Sequence, residues 1–489
     1  MALKSVLGRG DVFALAFGAI IGWGWVVLSG PMISQAGTVG SILALLAGAV
    51  MVGFVGLAYA ELASVLPRAG GSLVFAYRAL GRGPAWVCGW SLVLAYAGVC
   101  AFEAVATPTV VAYLMPGMAG RPLYTIASAP VTVPWIVTGV TGSLVVGWLN
   151  WRGVRTSSVV QNVGTALLLT IGVAFFLAAG VNGNTDNLQP WTTNLSGLLQ
   201  VVILTPFLFV GFDIIPQASE EIRIPSRDTG RIILFSIALA TAWYTLVQYG
   251  VGVGLPHAAR GSSALPTADA ASAVMGHPLA ARVLVFGGLL GIITSWNAFF
   301  VGATRLLFAM GRGGMLPPIF ARLSPRYDTP TTAIVLLTLC SALAPLLGRQ
   351  ALVWIANAAS FATVIAYAAV ALSFYRLRRT APGLARPYRV PAGAVIAPAA
   401  VVVTILFLLL YLPPSPSALN WPYEWGIVGS WTVLGALVLG WSRRLPLWRD
   451  RAAQDRLVLG LPETAVDGNR GRNRDISGHV SPGSSRTEP

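Results

Sequence analysis

Apolar residues fall into twelve runs long enough to cross a bilayer, at about 20 residues per crossing. They lie at 11–36, 40–66, 84–114, 131–150, 157–180, 195–220, 229–254, 281–311, 330–347, 351–377, 392–412 and 421–442. The pattern predicts an all-α integral membrane protein with about twelve transmembrane helices. Stretch 265–280 is too polar to span and predicts a short helix on the outer face. Beyond residue 443 the chain turns polar, so 443–489 is expected to be a cytoplasmic, largely disordered tail. No structure is expected over 465–489.

Two of the runs are not uniform. The first contains Gly18-Ala19-Ile20-Ile21-Gly22-Trp23-Gly24-Trp25. Glycine inside a helix costs about 1 kcal/mol relative to alanine, so three within seven residues call for a reason. Lipid-exposed backbone must be hydrogen-bonded internally, and an unwound turn survives only when buried or lining a cavity. The run is therefore expected to be a broken helix lining a site near the bilayer midplane. The sixth run carries Pro206, Gly211, Asp213 and Pro216 and is interrupted in the same way. These two runs open consecutive five-helix blocks, 11–180 and 195–377. An odd number of helices per block inverts the second relative to the first. Paired interrupted helices of this kind point to a transporter binding site, and half-helix N-termini suit a substrate carboxylate. Gly22 and Gly24 fit close helix packing as well, and spacing alone does not choose.

Composition narrows the class. Only 10% of residues are charged and 55% are hydrophobic, with mean hydropathy +0.72, against about 25% charged in soluble domains. The net charge of +15 is then a matter of topology and not of nucleic acid. With the N-terminus (1–10) inside, the inner segments carry 23 of the Lys and Arg residues, and the outer ones only Arg121, Arg260, Arg282 and Arg349. That bias predicts both termini cytoplasmic, in the cytoplasmic membrane. Lys4 is the single lysine, and Cys88, Cys100 and Cys340 form no metal or disulfide spacing. No cleavable signal is expected, because the first run is long and many others follow.

Asp213 is the sharpest candidate. A carboxyl at membrane depth is costly and is functional by default, here as a carrier of a coupling proton. The alternative is an acid that pairs with backbone amides at the turn. Glu103 in the third run is a second candidate, and sequence does not show whether the two meet. Thr294 and Ser295 could coordinate a cation with carbonyls of the first helix, or back-bond harmlessly. Glu220, Glu221 and Asp228, among Arg223, Arg227 and Arg231, read as a salt-bridged inner gate, and Glu61 similarly. No histidine lies in a run, so a histidine relay is excluded. No nucleophile–base pair or metal cluster suggests an enzyme.

At these residues the chain resembles an amino acid–polyamine–organocation superfamily transporter of the amino acid permease type. The likeness rests on Gly18 to Trp25, on Leu66-Pro67-Arg68-Ala69-Gly70-Gly71-Ser72 with Phe75 to Gly81 and Gly89-Trp90, and on Phe209 to Asp213 with Glu220-Glu221 and Pro225. Gly302 to Arg312 with Leu316-Pro317 completes it. The resemblance implies a five-plus-five inverted repeat of leucine-transporter type, alternating access, and a substrate whose amino and carboxyl groups bind both broken helices. By motif position Ile20, Gly22, Trp23 and Gly24 would line the site from the first helix, and Phe207, Val210, Gly211 and Asp213 from the sixth, with Phe207 as an aromatic gate. Asp213 and Glu103 match acids that some members use for proton coupling. Two departures matter. The fifth run, Ser157 to Leu168, has no lysine, which excludes lysine-based coupling. Trp23 and Trp25 stand where many members have small residues. If Trp23 points inward, the pocket suits a small apolar amino acid; if it turns into packing, nothing follows about size.

The expected activity is proton-coupled secondary transport of amino acids, with no cofactor, a small-molecule substrate and the lipid bilayer as partners. Sodium coupling through Thr294 and Ser295 is the alternative ion. An amine or polyamine permease and an exchanger are alternatives within transport, and a sensor or channel on the same fold lies outside it. Oligomeric state is open.

Overall fold

The computed structural model describes residues 5–115, 120–127, 129–263 and 265–461. The expectation for 465–489 lies outside the described residues. The chain enters as α1 (Arg9–Ile20), leaves helical geometry at 21–23, and resumes as α2 (Gly24–Val27) and α3 (Ser29–Ala36). Then come α4 (Thr38–Val65), the short α5 (Gly71–Leu80) and the long α6 (Arg82–Leu114). A two-stranded antiparallel hairpin, β1 (Pro122–Ile126) and β2 (Ala129–Thr132), leads into α7 (Val133–Arg152) and α8 (Val154–Asn182). This hairpin is absent from the all-helical expectation.

A second interruption follows in the run that begins at 195. Helix α9 (Leu195–Phe209) ends before residues 210–213, and α10 (Ile214–Gln217) follows. Next are α11 (Ser226–Gly254), two short helices α12 (His257–Ser262) and α13 (Pro266–Met275), and α14 (Pro278–Arg312). The remainder is α15 (Thr331–Leu343), α16 (Ala351–Thr380), α17 (Gly393–Leu410), α18 (Tyr423–Ser442), α19 (Pro446–Arg449) and α20 (Arg451–Leu459). Among the described residues, eleven helices are long and apolar enough to span, counting Arg9–Val27 and Leu195–Gln217 as one each. The ninth run of the sequence is the shorter apolar stretch Thr331–Leu347.

Small residues set how closely these helices approach. A Cβ on Gly48 of α4 would lie 2.0 Å from the Thr205 hydroxyl of α9, and one on Gly172 of α8 would meet the Trp243 ring at 1.9 Å. Pro206 cannot donate to the carbonyl of Val202, and the Thr205 hydroxyl takes that carbonyl instead at 2.7 Å. Large apolar side chains such as Val181, Leu437 and Val402 remain exposed on the periphery, where acyl chains would cover them. Helices α6 and α14 are enclosed along most of their length, whereas α18 is mostly peripheral.

Two segments outside the spans are anchored. Helix α13, within the stretch read as too polar to span, packs against the second half of the first run. The Thr267 hydroxyl bonds the carbonyls of Trp25 and Val26 at 3.1 and 3.2 Å and the Ser29 hydroxyl at 2.6 Å. Beyond Arg443, where a mostly unstructured tail is expected, α19 and α20 form and dock. Buried Gln454 donates to the Gly313 carbonyl at 2.7 Å, and the Tyr77 hydroxyl donates to Asp455 at 2.6 Å. Polar composition concealed this because Gln454 and Asp455 find their partners far away in sequence, at the end of α14 and on α5.

The Gly48 contact gives a direct test. Gly48→Val overpacks the α4–α9 crossing and should cost about 1–3 kcal/mol. In detergent, its unfolding midpoint by tryptophan fluorescence should fall. Gly53→Ala on the same helix meets nothing within 4 Å and should leave the midpoint unchanged or slightly raised.

Candidate functional site

The two interruptions lie against each other. Gly211 adopts φ +135°, and a Cβ there would sit 2.8 Å from both the Ala19 Cβ and the Ile20 nitrogen. Only glycine permits both that backbone angle and that approach. Where α1 stops, the amides of Gly22 and Gly24 donate to no protein acceptor among the described residues. Where α9 stops, the carbonyls of Phe207 and Leu208 accept no backbone amide. These unpartnered groups border one small cavity.

The cavity is about 10 Å3, room for roughly one water. Its wall includes Ile20, Gly22, Gly24, Phe207, Glu103 and Ser295, all expected from sequence. Sequence reasoning missed Val99, Phe102, Leu208, Tyr244 and Phe299. Phe207 packs edge-on against Phe102, with ring centroids 4.9 Å apart. Tyr244 donates to the Ile20 carbonyl at 2.8 Å, closing one of the acceptors that the end of α1 leaves free. Nothing in a run of apolar residues marks which aromatic faces the cavity.

Glu103 is buried under the first interruption. It accepts the Trp23 amide at 3.4 Å, and its second oxygen has no partner among the described residues. A Cβ on Gly22 would lie 2.2 Å from the Glu103 carboxylate and 2.8 Å from the Ser295 hydroxyl. Gly22 is therefore needed for Glu103 and Ser295 to approach the backbone.

Asp213 occupies a different place. Its carboxylate accepts the Gly211 amide at 2.9 Å and the Tyr96 hydroxyl at 2.5 Å. Beyond Tyr96 the polar cluster continues through Gln217 to Ser72 at 3.0 Å and on to Tyr59 at 2.7 Å. Tyr96 and Glu103 stand seven residues apart on α6, on one face and about 10 Å apart along the axis. Glu103 is thus on α6 itself, whereas Asp213 reaches the same helix only through Tyr96. Val210, Gly211 and Asp213 stand beside the cavity and are not part of its wall.

Trp23 and Thr294 also sit differently from expectation. The Trp23 ring is fully buried against Gly288 of α14, where a Cβ would be 2.3 Å away, and does not line the cavity. Gly288 provides the space, so the Trp23 ring is turned into packing. Thr294 donates back to the Gly291 carbonyl at 3.1 Å, whereas Ser295 faces Gly22. The Ile21 and Gly22 carbonyls border Gly291 instead.

Two sets of contacts flank the site. On one side stand the Phe207 and Phe102 rings, and α13 packs on the segment that follows the first interruption. On the arginine-rich side, Arg305 donates to Glu221 at 2.9 and 3.1 Å, both side chains buried. Arg312 donates to Glu220 at 2.7 and 3.1 Å, with Arg68 3.8 Å from the same carboxylate. The segment before α1 is tied in: the Val6 and Leu7 amides bond the Glu221 carbonyl at 2.8 and 2.9 Å. Arg9 pairs with Asp228. Glu220, Glu221 and Asp228 are salt-bridged as expected, but of the neighbouring arginines Arg223, Arg227 and Arg231 only Arg231 pairs with one of them, Asp228, at 3.9 Å among the described residues, and the other partners come from elsewhere in the chain. Burial alone would raise the Glu220 carboxyl, yet the Arg312 hydrogen bonds and charge outweigh it and hold it below the usual range.

The amino acid permease family profile matches residues 7–435. The chain is 28% identical over 418 residues to a branched-chain amino acid permease of Bacillus subtilis, covering 84% of this chain and 89% of that one. It is 26% identical to a methylthioribose transporter of the same organism, covering 81% and 86%. It is 25% identical to that organism's aspartate-proton symporter, covering 89% and 83%.

Because the folded carboxyl of Glu220 is depressed, its contribution to closure is present above the ordinary carboxylate range. It is lost as pH falls through the lowered value. Glu220→Gln, the neutral isostere, should reproduce that loss at neutral pH. The Ala69 amide, which donates to Glu220 at 3.2 Å, should then exchange hydrogen faster. Unchanged protection of 68–71 would mean that the pair does not hold this segment in place.

Proposed function

The chain belongs to the amino acid permease family of the amino acid–polyamine–organocation superfamily, and on that premise we propose that it carries small apolar amino acids by proton-coupled alternating access. It is an amino acid transporter and not an enzyme. The observation that carries the finer reading is the cavity wall: unpartnered amides on one side, unpartnered carbonyls on the other, and apolar side chains between them. The amides of Gly22 and Gly24 receive the substrate carboxylate, and the carbonyls of Phe207 and Leu208 receive its ammonium. Val99, Phe102 and Phe299 take an aliphatic side chain. A branched-chain permease among the relatives agrees with that wall.

In this reading the two blocks, 11–180 and 195–377, form a five-plus-five inverted repeat with broken first and sixth helices. Both termini are cytoplasmic, following the arginine bias. The present state is occluded, and loading requires Phe207, Phe102 and α13 to withdraw from the outer side. Release requires the Glu220 and Glu221 pairs to separate.

Glu103 is the single carboxyl of the cavity wall. Its bond to the Trp23 amide joins its charge state to the shape of the first interruption, which makes it the proton carrier nearest the substrate. Asp213 holds the second interruption in shape through the Gly211 amide, and the coupling role implied by its motif position is tested beside that of Glu103. Thr294 and Ser295 do not converge on one point, so sodium ranks below the proton. A polyamine would need more acids than this wall offers.

Proteoliposomes given an inward proton gradient should accumulate labelled leucine. Glu103→Gln should lower gradient-driven uptake by about tenfold or more while leucine–leucine exchange persists. Asp213→Asn should impair both if Asp213 only shapes the site, and gradient-driven uptake alone if it couples. Full gradient dependence in both variants would overturn proton coupling through these acids, and uptake driven only by sodium would overturn it altogether. Trp23→Phe should leave the order of preference among leucine, isoleucine and valine unchanged.

A further inference from the structure

Away from the central site, at the arginine-rich end of α16 and α17, lies a cavity of about 270 Å3. Four arginines line it: Arg378, Arg379, Arg386 and Arg389. One acid answers them. Buried Glu61 of α4 accepts Arg378 at 3.0 Å, Arg386 at 2.9 Å and the Val390 amide at 2.8 Å. The remaining Arg386 donors are spent on backbone carbonyls, including Pro382 at 3.0 Å and Leu384 at 2.8 Å. Arg379 and Arg389 are exposed and have no acid partner among the described residues. The Arg379 guanidinium lies over the Tyr375 ring, 4.5 Å from its centre.

The start of α17 adds to this charge. The first amides to enter its ladder are Val395 and Ile396, both bonded to the Ala392 carbonyl. The amides of Gly393 and Ala394, which line the cavity, donate to no protein acceptor among the described residues. A Cβ on Gly393 would lie 1.7 Å from Arg378, so glycine lets a guanidinium lie directly on the helix start. An 18-residue helix presents its positive end to a pocket with three more positive charges than negative.

The surroundings select among anions. The cavity sits at the last turn of one spanning helix and the first turn of the next, at headgroup depth. Directly beyond it Val395 is 69% exposed and Leu372 41%, and along α17 Val402, Ile405, Leu406 and Leu409 continue the exposed apolar face. A soluble anion would satisfy the arginines and leave that face unused. A phospholipid satisfies both. Basic pockets between spanning helices are known binders of lipid phosphates.

We propose that this cavity binds the phosphate of an anionic phospholipid headgroup, held by Arg379, Arg389 and the α17 amides, with an acyl chain along α17. The lipid would complete the join between α16 and α17 that Glu61 fastens from α4. Phosphate is the shared chemistry, and the bilayer is its source.

The test uses the full-length protein in detergent. Its unfolding midpoint is read by tryptophan fluorescence, and its retained lipids are counted by native mass spectrometry. Phosphatidylglycerol should raise the midpoint by several degrees and leave a retained adduct; phosphatidylcholine and millimolar sodium phosphate should do neither. Arg379→Gln/Arg389→Gln removes no ion pair and only the exposed Arg379–Tyr375 ring contact, so its lipid-free midpoint should stay close to that of the wild type, while the phosphatidylglycerol shift and adduct disappear. Arg443→Gln/Arg444→Gln, which removes equal charge elsewhere, should keep both. Four outcomes would overturn the proposal. They are a shift that survives the first double variant, an equal loss in the second, an equal shift with phosphatidylcholine, or a full shift from phosphate alone, which would make the site one for soluble anions.

Discussion

Backbone that leaves helical geometry inside a bilayer must be shielded from lipid, and in this protein the two such places shield each other. Gly211 can sit on the Ala19–Ile20 backbone because it has no side chain and adopts a positive φ. Around that contact the neighbours meet most of the remaining polar demand. Tyr244 covers the Ile20 carbonyl, Glu103 covers the Trp23 amide, and Asp213 covers the Gly211 amide. Among the groups that stay uncovered are the Gly22 and Gly24 amides and the Phe207 and Leu208 carbonyls, all in residues of the cavity wall. The long helices α6 and α14 are enclosed for the same reason, since α6 supplies Tyr96 and Glu103 and α14 supplies Gly291 and Ser295.

The two flanks of the site are held by different physics. On one, aromatic edges and the Thr267 hydroxyl make the contacts, which cost little to separate. On the other, charges are buried together. Arg305 and Glu221 are each almost wholly withdrawn from water, and a pair of this kind gains little net stability from its attraction because desolvation offsets it. Separating the partners is tolerable only if water reaches both at once. A crevice that floods on opening meets that condition, so ion pairs suit an end that faces an aqueous phase.

Much of this was legible in the chain, and the reasons are specific. Helix runs were readable because lipid enforces length and hydropathy; 351–377 reappears as Ala351–Thr380. Glu103 and Asp213 stood out because acids are costly at membrane depth, and Gly22 because glycine is costly in a helix. Tyr96, Tyr244, Phe102 and Phe299 did not, since an aromatic in an apolar run looks the same whether it faces lipid, a neighbour or a cavity. Partnerships across long separations were equally hidden. The direction of the Trp23 ring depends on Gly288, and Glu220 pairs with Arg312. Neither fact has a local signature. The helices after Arg443 were hidden because a polar sequence looks disordered until the surface it fits is known.

That last segment has a consequence for how the protein is made. The carbonyl of Gly313 and the hydroxyl of Tyr77 receive their partners from Gln454 and Asp455, among the last described residues to leave the ribosome. The elements they fasten, α5 and the end of α14, are inserted well before. Until synthesis reaches α20, those elements lack this clasp. A chain stopped before α20 would keep every spanning helix and lose the two bonds that tie α5 to the end of α14.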